Sequence, residues 1–374
     1  MSGGTVLANP RTPVRFDVCI DTLMNGCVNS FVQLFTLSHR DPVCVDELAQ
    51  TMFSVPDERL EWLQERLVTA ELKRRRGDFK GVYSEFLSLA CYFEENRDHD
   101  QAEKYYDSAL QACVESLDRN LQAAAHEQFG AFCERRNLKE EATYHYETRL
   151  KLVEISGDQE ARIAACRPLV ALFLRRGSVE QQEGNMMGAK VLYERAVTIS
   201  KACKDPGSEA KAYSALGGIT VLLGDMDKAL DYQKRFLVVC KDSNNIEQQS
   251  KASMQVAQLQ HQMGHHDEAV QSLKEALEIA QESNNLRDIC TACRQLGECY
   301  KSIGDSINAV HFFRQTFKVA RDIGDEKLIE SARAMLGFSL GEHYFNAAGS
   351  GEGFLSVACN DIAAQLDWLS SGVL

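Results

Sequence analysis

A fixed step of 40 residues organises the chain between residues 203 and 345. Glycine or alanine occupies one position of this step four times, at Gly217, Ala257, Gly297 and Gly337. A second row consists of Gly224, Gly264 and Gly304, and a third of Ala229, Ala269 and Ala309. A constant period between about 20 and 50 residues is the signature of a repeat architecture. The sequence therefore predicts a stack of similar units whose neighbours bury each other's apolar faces.

Each unit is predicted to be a pair of helices. Leu296, Gly297 and Tyr300 have the spacing of one stripe on a first helix. Ala309 and Phe313 form the facing stripe on a second helix, where alanine lets the two backbones approach closely. These small and aromatic residues are therefore interpreted as packing residues.

Polar turns are expected to separate the helices. Gly304 should end a first helix, because glycine adopts the left-handed conformation without a Cβ clash. Asp305 or Ser306 can then cap the following helix. Between units, Asn244 and Glu247 have the spacing of a capping box.

These spacings resemble the tetratricopeptide repeat, a helix–turn–helix unit that is usually about 34 residues long. The resemblance implies an all-α fold, a right-handed solenoid of about seven 40-residue helix pairs with N-terminal helices and a C-terminal capping helix. The third unit opens near Val170-Ala171. It carries six extra residues between Arg176 and Gly188, which either lengthen a helix or form a longer loop.

Four segments follow from this tracing. Residues 1–13 are rich in Gly, Pro and Thr and are expected to be disordered. Residues 14–77 form an N-terminal helical segment with helices over 14–37, 45–52 and 57–67, broken near Pro42 and Pro56. Residues 78–345 form the TPR solenoid, and residues 346–374 a linker and capping helix. The apolar positions of that capping helix are Leu355, Ala358, Ile362, Leu366 and Leu369.

Composition restricts the function classes. The net charge of −13 argues against general nucleic-acid binding, which needs a basic surface. The 13 cysteines are odd in number and scattered, as expected for reduced thiols. No apolar run approaches the length of a membrane span, and no signal peptide is recognisable, so we expect a chain that is neither secreted nor membrane-spanning.

Residues that suggest catalysis or metal binding coincide with repeat positions or turns. Gly337, Ser339 and Gly341 match the G-x-S-x-G of hydrolases, but Gly337 falls in register inside a predicted helix. Cys290-x-x-Cys293 lacks a second cysteine pair at zinc spacing. We therefore predict a chain that is not an enzyme and has no cofactor. The alternative left open is a metal site at His261, His265 and His266, near a turn.

The inner face of the solenoid is the predicted binding surface. In this repeat family, first-helix residues outside the packing stripe line a concave groove. By register these are Lys211, Ser214, Lys251, Met254, Gln258, His261, Thr291, Arg294, Glu298, Lys301, Ser331, Ala334 and Phe338. The lysines and arginine form a basic stripe suited to an acidic partner segment, with Met254 and Phe338 adding apolar contact. The alternative is that these cations are simply solvated. The paired asparagines of the family's carboxylate clamp are missing from these positions, which disfavours a co-chaperone role.

The run Lys73, Arg74, Arg75 and Arg76 has two interpretations. It can be a helix C-terminus whose cations complement the helix dipole, with Gly77 as the cap. It can also be a docking patch for an acidic surface such as a tubulin tail or a phosphate.

Two stretches resemble the tetratricopeptide repeat protein 29 family more specifically. They are Val18-Cys19-Ile20-Asp21-x-Leu23-x-x-Gly26 with Ser30-Phe31-x-x-Leu34-Phe35, and Leu89-Ala90-Cys91-Tyr92-Phe93. The resemblance implies a motile-cilium protein, made in the cytoplasm and assembled into the axoneme as an accessory subunit of inner-arm dynein. Its implied partners are dynein subunits and a second repeat protein, with tubulin as a further candidate. The alternatives are a spindle-orientation-type adaptor that grips an extended peptide, or a chaperone cofactor.

Overall fold

The computed structural model describes residues 13–46, 51–346 and 366. The N-terminal elements are α1 (Pro13–Met24), α2 (Val28–His39), β1 (Val43–Asp46), β2 (Thr51–Phe53), a 3₁₀ turn (Asp57–Arg59) and α3 (Leu60–Arg75). The next helices are α4 (Phe79–Glu95), α5 (His99–Ser116), α6 (Arg119–Arg135), α7 (Lys139–Ser156), α8 (Gln159–Gln182) and α9 (Met186–Cys203). The last are α10 (Pro206–Leu222), α11 (Met226–Asp242), α12 (Ile246–Gln262), α13 (His266–Glu282), α14 (Leu286–Ile303), α15 (Ser306–Ile323) and α16 (Glu326–Asn346).

This architecture confirms the predicted all-α solenoid. From α4 onward the helices form six antiparallel pairs, α4–α5 to α14–α15, followed by α16 as the first helix of a seventh unit. The predicted capping helix after residue 346 falls outside the described residues apart from Leu366, and so do residues 1–12 of the segment predicted to be disordered. The chain divides into two compact units, Met1–Leu172 and Phe173–Leu374, with the boundary inside α8.

Every turn from α3 to α16 contains one residue in the left-handed conformation. These residues follow one another every 20 positions, except across α8: Gly77, Arg97, Leu117, Asn137, Gly157, Gly184, Lys204, Gly224, Asn244, Gly264, Asn284, Gly304 and Gly324. The residue after each of them precedes the next helix, and in most turns it is an Asp or Asn. Asp305, for example, accepts a hydrogen bond from the Asn308 backbone N–H at 3.0 Å. A left-handed residue followed by a capping residue thus ends one helix and starts the next within about three residues.

The predicted roles of the Asn244 turn are shifted by one residue. Asn244 has φ +52° and is the left-handed residue that follows α11. Asn245 is the cap of α12, and its Oδ1 accepts the Gln248 backbone N–H at 3.1 Å. The predicted capping box at Asn244 is therefore wrong, because a residue in the left-handed position cannot also serve as the N-cap.

Within a pair, a glycine of the first helix packs against a large side chain of the second helix. The contact pairs are Gly130 with Tyr146, Gly177 with Tyr193, Gly217 with Gln233 and Gly297 with Phe313. A Cβ placed on Gly297 would lie 2.8 Å from the Phe313 ring. The glycines of this row thus let the second helix come close, and Gly297 is a packing residue as the sequence predicted.

The extra residues of the third unit lengthen a helix rather than a loop. Helix α8 has 24 residues where α6 has 17. The small residue that meets the second helix is Gly177, against Tyr193. The predicted position Ala171 is solvent-exposed, so the sequence register of this unit was wrong.

Two predictions in the N-terminal segment are also wrong. The helix predicted over 14–37 is two helices, because Gly26 adopts φ +71° between α1 and α2. The helix predicted over 45–52 is replaced by the antiparallel strands β1 and β2, in which Val43 pairs with Phe53 and Cys44 with Met52. The β-branched Val43 and Val45 favour a strand, and the stretch from Pro42 to Pro56 is short for a stable helix.

Candidate protein-binding groove

The predicted groove residues occupy equivalent positions on α10, α12, α14 and α16. Lys211, Lys251, Thr291 and Ser331 each stand six positions after the residue that precedes their helix. Three observations relate neighbouring first helices to one another: Lys211 and Lys251 line one cavity, the Glu298 charge acts on His261, and Lys301 pairs with Glu342. The four first helices therefore present one continuous face.

A cavity of about 420 Å³ opens on this face between α10 and α12. Its lining is Lys211, Ser214, Ala215, Phe236, Asn245, Glu247, Gln248, Lys251 and Gln255. The Ser214 hydroxyl lies 3.5 Å from Gln255 Oε1, so polar side chains from both helices meet across it. Two ammonium groups, three amides and a hydroxyl give the cavity several donors for a carboxylate or a peptide carbonyl.

Three of the four predicted cations are already paired. Lys251 Nζ lies 2.6 Å from Glu247 Oε1, and Arg294 donates to Glu298 at 2.7 Å. Lys301 Nζ lies 2.9 Å from Glu342 Oε2. Among the described residues Lys211 forms no ion pair. The predicted basic stripe is thus a row of ion pairs with one unpaired lysine at its α10 end.

The Lys251–Glu247 pair sits beside a buried carboxylate. The hydrogen bond from Lys251 lowers the pKa of Glu247 and raises that of Lys251. Asp288 of α14 is 8% exposed, and its Oδ2 has no hydrogen-bond partner in the described part of the chain. Burial raises the Asp288 pKa, while Lys251 opposes that shift and Glu247 reinforces it. Three ionisable groups on α12 and α14 are therefore electrostatically coupled.

The apolar groove residues differ in accessibility. Met254 is only 6% exposed and packs in the cluster of Leu273, Ala276 and Leu296, so it cannot make the predicted contact with a partner. Phe338 is 74% exposed, as predicted. It borders a shallow recess of about 520 Å³ lined by Ala334, Gly337, Phe338, Gly341 and Glu342.

Two further polar groove positions, Gln258 and His261, lie on α12. Gln258 is exposed on α12. His261 is half-buried, and its Nδ1 lies 2.9 Å from Nδ1 of His266. Burial, with a smaller contribution from His266, lowers the His261 pKa, so the ring is neutral at pH 7 and acts as a hydrogen-bonding group rather than a cation.

The basic run at the end of α3 fits its structural interpretation. Helix α3 ends at Arg75, and Gly77 has φ +76°. Lys73 Nζ lies 2.8 Å from Glu85 Oε1, and Arg74 lies 3.0 Å from Glu115 Oε1. Arg75 pairs with Glu71 and donates to the Gly26 carbonyl at 2.7 Å, which ties α3 to the turn between α1 and α2. Only Arg76 of the four lacks an ion pair in the described part of the chain.

Candidate catalytic and metal-binding residues are placed on helices. Ser339 lies inside α16, as its repeat register predicted, and it is 3% exposed. Cys290 and Cys293 are buried on α14, where burial raises both thiol pKa values. Within residues 13–46 and 51–346, no three His, Cys, Asp or Glu side chains are grouped closely enough to hold a metal ion. The same part of the chain contains no helix with the length and apolarity of a membrane span.

Two carboxylates of the groove, Glu247 and Glu342, were missed by sequence reasoning, which had named only Glu298 as a groove carboxylate. Glu247 stands four positions before Lys251, and this i, i+4 spacing on a helix could have predicted their pairing. Glu342 pairs with Lys301 from the next first helix, 41 positions away, and only the 40-residue register could have suggested it.

Comparison with known proteins agrees with this architecture. The family model described as Tetratricopeptide repeat matches residues 248–339. The curated Tetratricopeptide repeat protein 29 of Trypanosoma brucei brucei is 41% identical over 369 residues, which cover 99% of this chain and 76% of that protein. The human protein of the same name is 26% identical and is matched over 63% of this chain and 52% of its own length. The chain thus spans about half the length of that relative.

Solved structures include similar helical repeats. A signal transduction ATPase with a tetratricopeptide repeat sensor from Pyrococcus horikoshii has a TM-score of 0.46 and 14% identity, covering 99% of this chain and 66% of that one. The fold, the repeat match and the curated relatives together describe a helical-repeat scaffold for protein interaction. Because 99% of this chain aligns with the trypanosome protein at 41% identity, this chain belongs to the tetratricopeptide repeat protein 29 family.

Proposed function

We propose that this chain is a non-enzymatic scaffold of the motile-cilium axoneme, an accessory subunit of inner-arm dynein. It binds an extended or helical segment of a dynein subunit, or of a second repeat protein, along the groove of α10, α12, α14 and α16. Family membership supports the ciliary part of the proposal, through the resemblance described above. The groove itself supports the part that concerns binding.

The observation that carries the binding mode is the cavity between α10 and α12. Here Lys211, which is unpaired among the described residues, meets the paired Lys251. A carboxylate of a partner can form an ion pair with Lys211 directly and can compete with Glu247 for Lys251. Farther along, exposed Phe338 offers an apolar contact. A partner segment with acidic residues at one end and an apolar residue at the other fits this arrangement.

Co-purification tests the cellular part. The tagged chain should be recovered from isolated axonemes after high-salt extraction together with inner-arm dynein subunits and a second repeat protein. Recovery with cortical spindle proteins or with a heat-shock chaperone, and without dynein, would contradict the proposal. Tubulin alone in the eluate would place the chain on the microtubule and not on dynein.

A matched pair of charge reversals tests the groove. Lys211→Glu with Lys251→Glu changes two cations of the cavity. Lys234→Glu with Lys274→Glu makes the same change in net charge on exposed lysines of the second helices α11 and α13. The cavity variant should bind the recovered dynein partner at least about tenfold more weakly, while the control should bind as wild type does.

Salt dependence provides the second criterion. Wild-type binding should weaken with salt, because the Debye length falls from about 10 Å at 0.1 M to about 3 Å at 1 M. Equal affinity of both variants, with circular dichroism showing intact helices, would move the binding surface off the groove.

A further inference from the structure

The N-terminal helices α1 and α2 expose two rows of large apolar side chains. The row on α1 contains Phe16, Ile20 and Leu23, and the row on α2 contains Val28, Val32 and Phe35. Each row has the spacing i, i+4, i+7, which places its members on one face of a helix. Exposed fractions are 52%, 43% and 44% on α1 and 54%, 55% and 39% on α2. Apolar rows of this kind are uncommon on surfaces that face only water.

Contacts of the buried residues show that both rows lie on the same side of the helix pair. Toward α3, the Val18 carbonyl accepts a hydrogen bond from Gln64, and the Ser30 hydroxyl donates to the Leu67 carbonyl. Between the two helices, Cys19 Sγ lies 3.6 Å from Ser38 Oγ.

The exposed rows follow from these contacts by helical spacing. On each helix the exposed row lies past the α1–α2 contact, on the side away from α3. The two rows therefore border one groove, which we call the α1–α2 face and define by the six residues of the rows.

Acidic side chains flank this face. Asp17 and Asp21 each follow a member of the α1 row by one position, and both are exposed. Neither has an ion pair among the described residues. Arg15, the cation of α1, is engaged: its Nε lies 2.6 Å from Asp57 Oδ1, and it donates to the Ser38 carbonyl at 2.6 Å. The α1–α2 face therefore combines an apolar centre with an uncompensated negative edge.

We propose that the α1–α2 face is a second docking site, which binds an amphipathic helix of another protein whose apolar stripe is flanked by lysine or arginine. The partner helix lies in the groove between the two rows and inserts its own i, i+3, i+4 and i+7 side chains between them. Its cations pair with Asp17 and Asp21. This site belongs to the N-terminal unit and is independent of the groove on α10 to α16.

Charge excludes a second copy of the chain as the preferred occupant. A two-fold contact would bring the α1–α2 face against an identical face. Asp17 and Asp21 would then meet helices whose described cation, Arg15, is held by Asp57. A basic helix satisfies the same carboxylates and buries the same apolar rows.

Two synthetic helical peptides of equal length provide the probes. Both carry the same leucine stripe, flanked by lysine in one peptide and by glutamate in the other. Fluorescence anisotropy measures their binding to the full chain. The lysine peptide should bind roughly tenfold more tightly, because several weak ion pairs add up in that complex and repulsion replaces them in the other. In Asp17→Lys with Asp21→Lys, the preference should reverse.

Single substitutions test the position of the site. Val32→Glu should abolish binding, whereas Val238→Glu should leave it unchanged, since both valines are 55% exposed and Val238 lies on α11. Ile20→Glu, on the opposite row, should repeat the effect of Val32→Glu. Circular dichroism verifies that the variants keep their helices.

Three results would overturn the proposal. One is that neither peptide binds wild type, and another is that Val32→Glu and Val238→Glu behave alike. The third is sedimentation of the wild-type chain as a dimer that Val32→Glu dissociates and Val238→Glu does not. That last result would assign the α1–α2 face to a second copy.

Discussion

The contact between Gly297 and Phe313 predicts that a substitution which normally stabilises a helix will destabilise this one. Gly297 lies inside α14, where replacing glycine by alanine usually adds about 1 kcal/mol through helix propensity. Here the new Cβ would lie 2.8 to 2.9 Å from three atoms of the Phe313 ring. Phe313 is 3% exposed, so its ring has no free space into which to move. Overpacking of this kind costs about 1–3 kcal/mol.

The two terms have opposite signs, and the packing term is the larger. Gly297→Ala should therefore lower the free energy of unfolding by up to about 2 kcal/mol, which is the packing cost less the gain in helix propensity. Gly218 provides the control, because it also lies inside a helix, α10, and a Cβ there would meet nothing within 4 Å. Gly218→Ala should raise the free energy of unfolding by about 0.5–1 kcal/mol.

Urea unfolding followed by circular dichroism measures both variants. A third variant, Gly297→Ala with Phe313→Leu, tests the cause, since a smaller side chain at position 313 relieves the clash. Its loss of stability should be smaller than the sum of the two single losses. If Gly297→Ala and Gly218→Ala are equally stabilising, or if the double variant is additive, the close contact of the two helices is not what holds glycine at this position.

Three further substitutions and conditions should change stability in a stated direction. Leu117 has φ +55° and is 84% exposed. Leu117→Gly should therefore raise the melting temperature, because it removes about 1–2 kcal/mol of backbone strain from the folded state. The extra conformational entropy that glycine loses on folding is a smaller, opposing term. Ala269 is fully buried, so Ala269→Glu should lower the melting temperature more than Gly297→Leu, because it buries a charge without a partner. Burial, and to a lesser extent His126, lowers the pKa of His145 to about 4, below the value near 6.5 of an unfolded chain. As the pH falls, the unfolded state binds a proton that the folded state does not. The free energy of unfolding should therefore fall by about 1–3 kcal/mol from pH 6.5 to pH 4. His145→Gln should flatten that pH dependence.

The repeat could be predicted from the sequence because the residues that carry it are constrained by contacts within one unit. Gly297 must be small to meet Phe313, and Gly304 must be left-handed to end α14, so both recur at a constant step. The finer step of 20 was not predicted. Its left-handed positions alternate among Gly, Asn, Arg, Leu and Lys, and a residue such as Leu117 gives no signal of a positive φ.

The helix face of the proposed groove could be predicted from the sequence, but the pairing of its charges could not. Register alone placed Lys211 and Lys251 on one face, and both line the same cavity. Ion pairing depends on side chains that were not counted as groove positions, such as Glu342, and burial depends on the neighbouring helix, as for Met254. A count of lysines and arginines therefore overestimated how basic the surface is. The N-terminal segment was predicted least well, because its short elements have no repeat to fix their boundaries.

Helix α8 shows why the register of the third unit was difficult to trace. Counting alanines gave an insertion of six, which is not close to a whole number of helical turns and would rotate the rest of the helix away from its packing face. The structure gives seven, since the left-handed residues Gly157 and Gly184 are 27 apart where 20 is the rule. Seven residues are nearly two full turns and shift the helical phase by only about 20°. The added turns therefore keep the small residue Gly177 on the face that meets Tyr193, and the glycine contact of the other pairs is preserved. The length of the insertion is thus compatible with helix geometry, because an inserted segment keeps the packing face when it is close to a whole number of turns, as seven residues are.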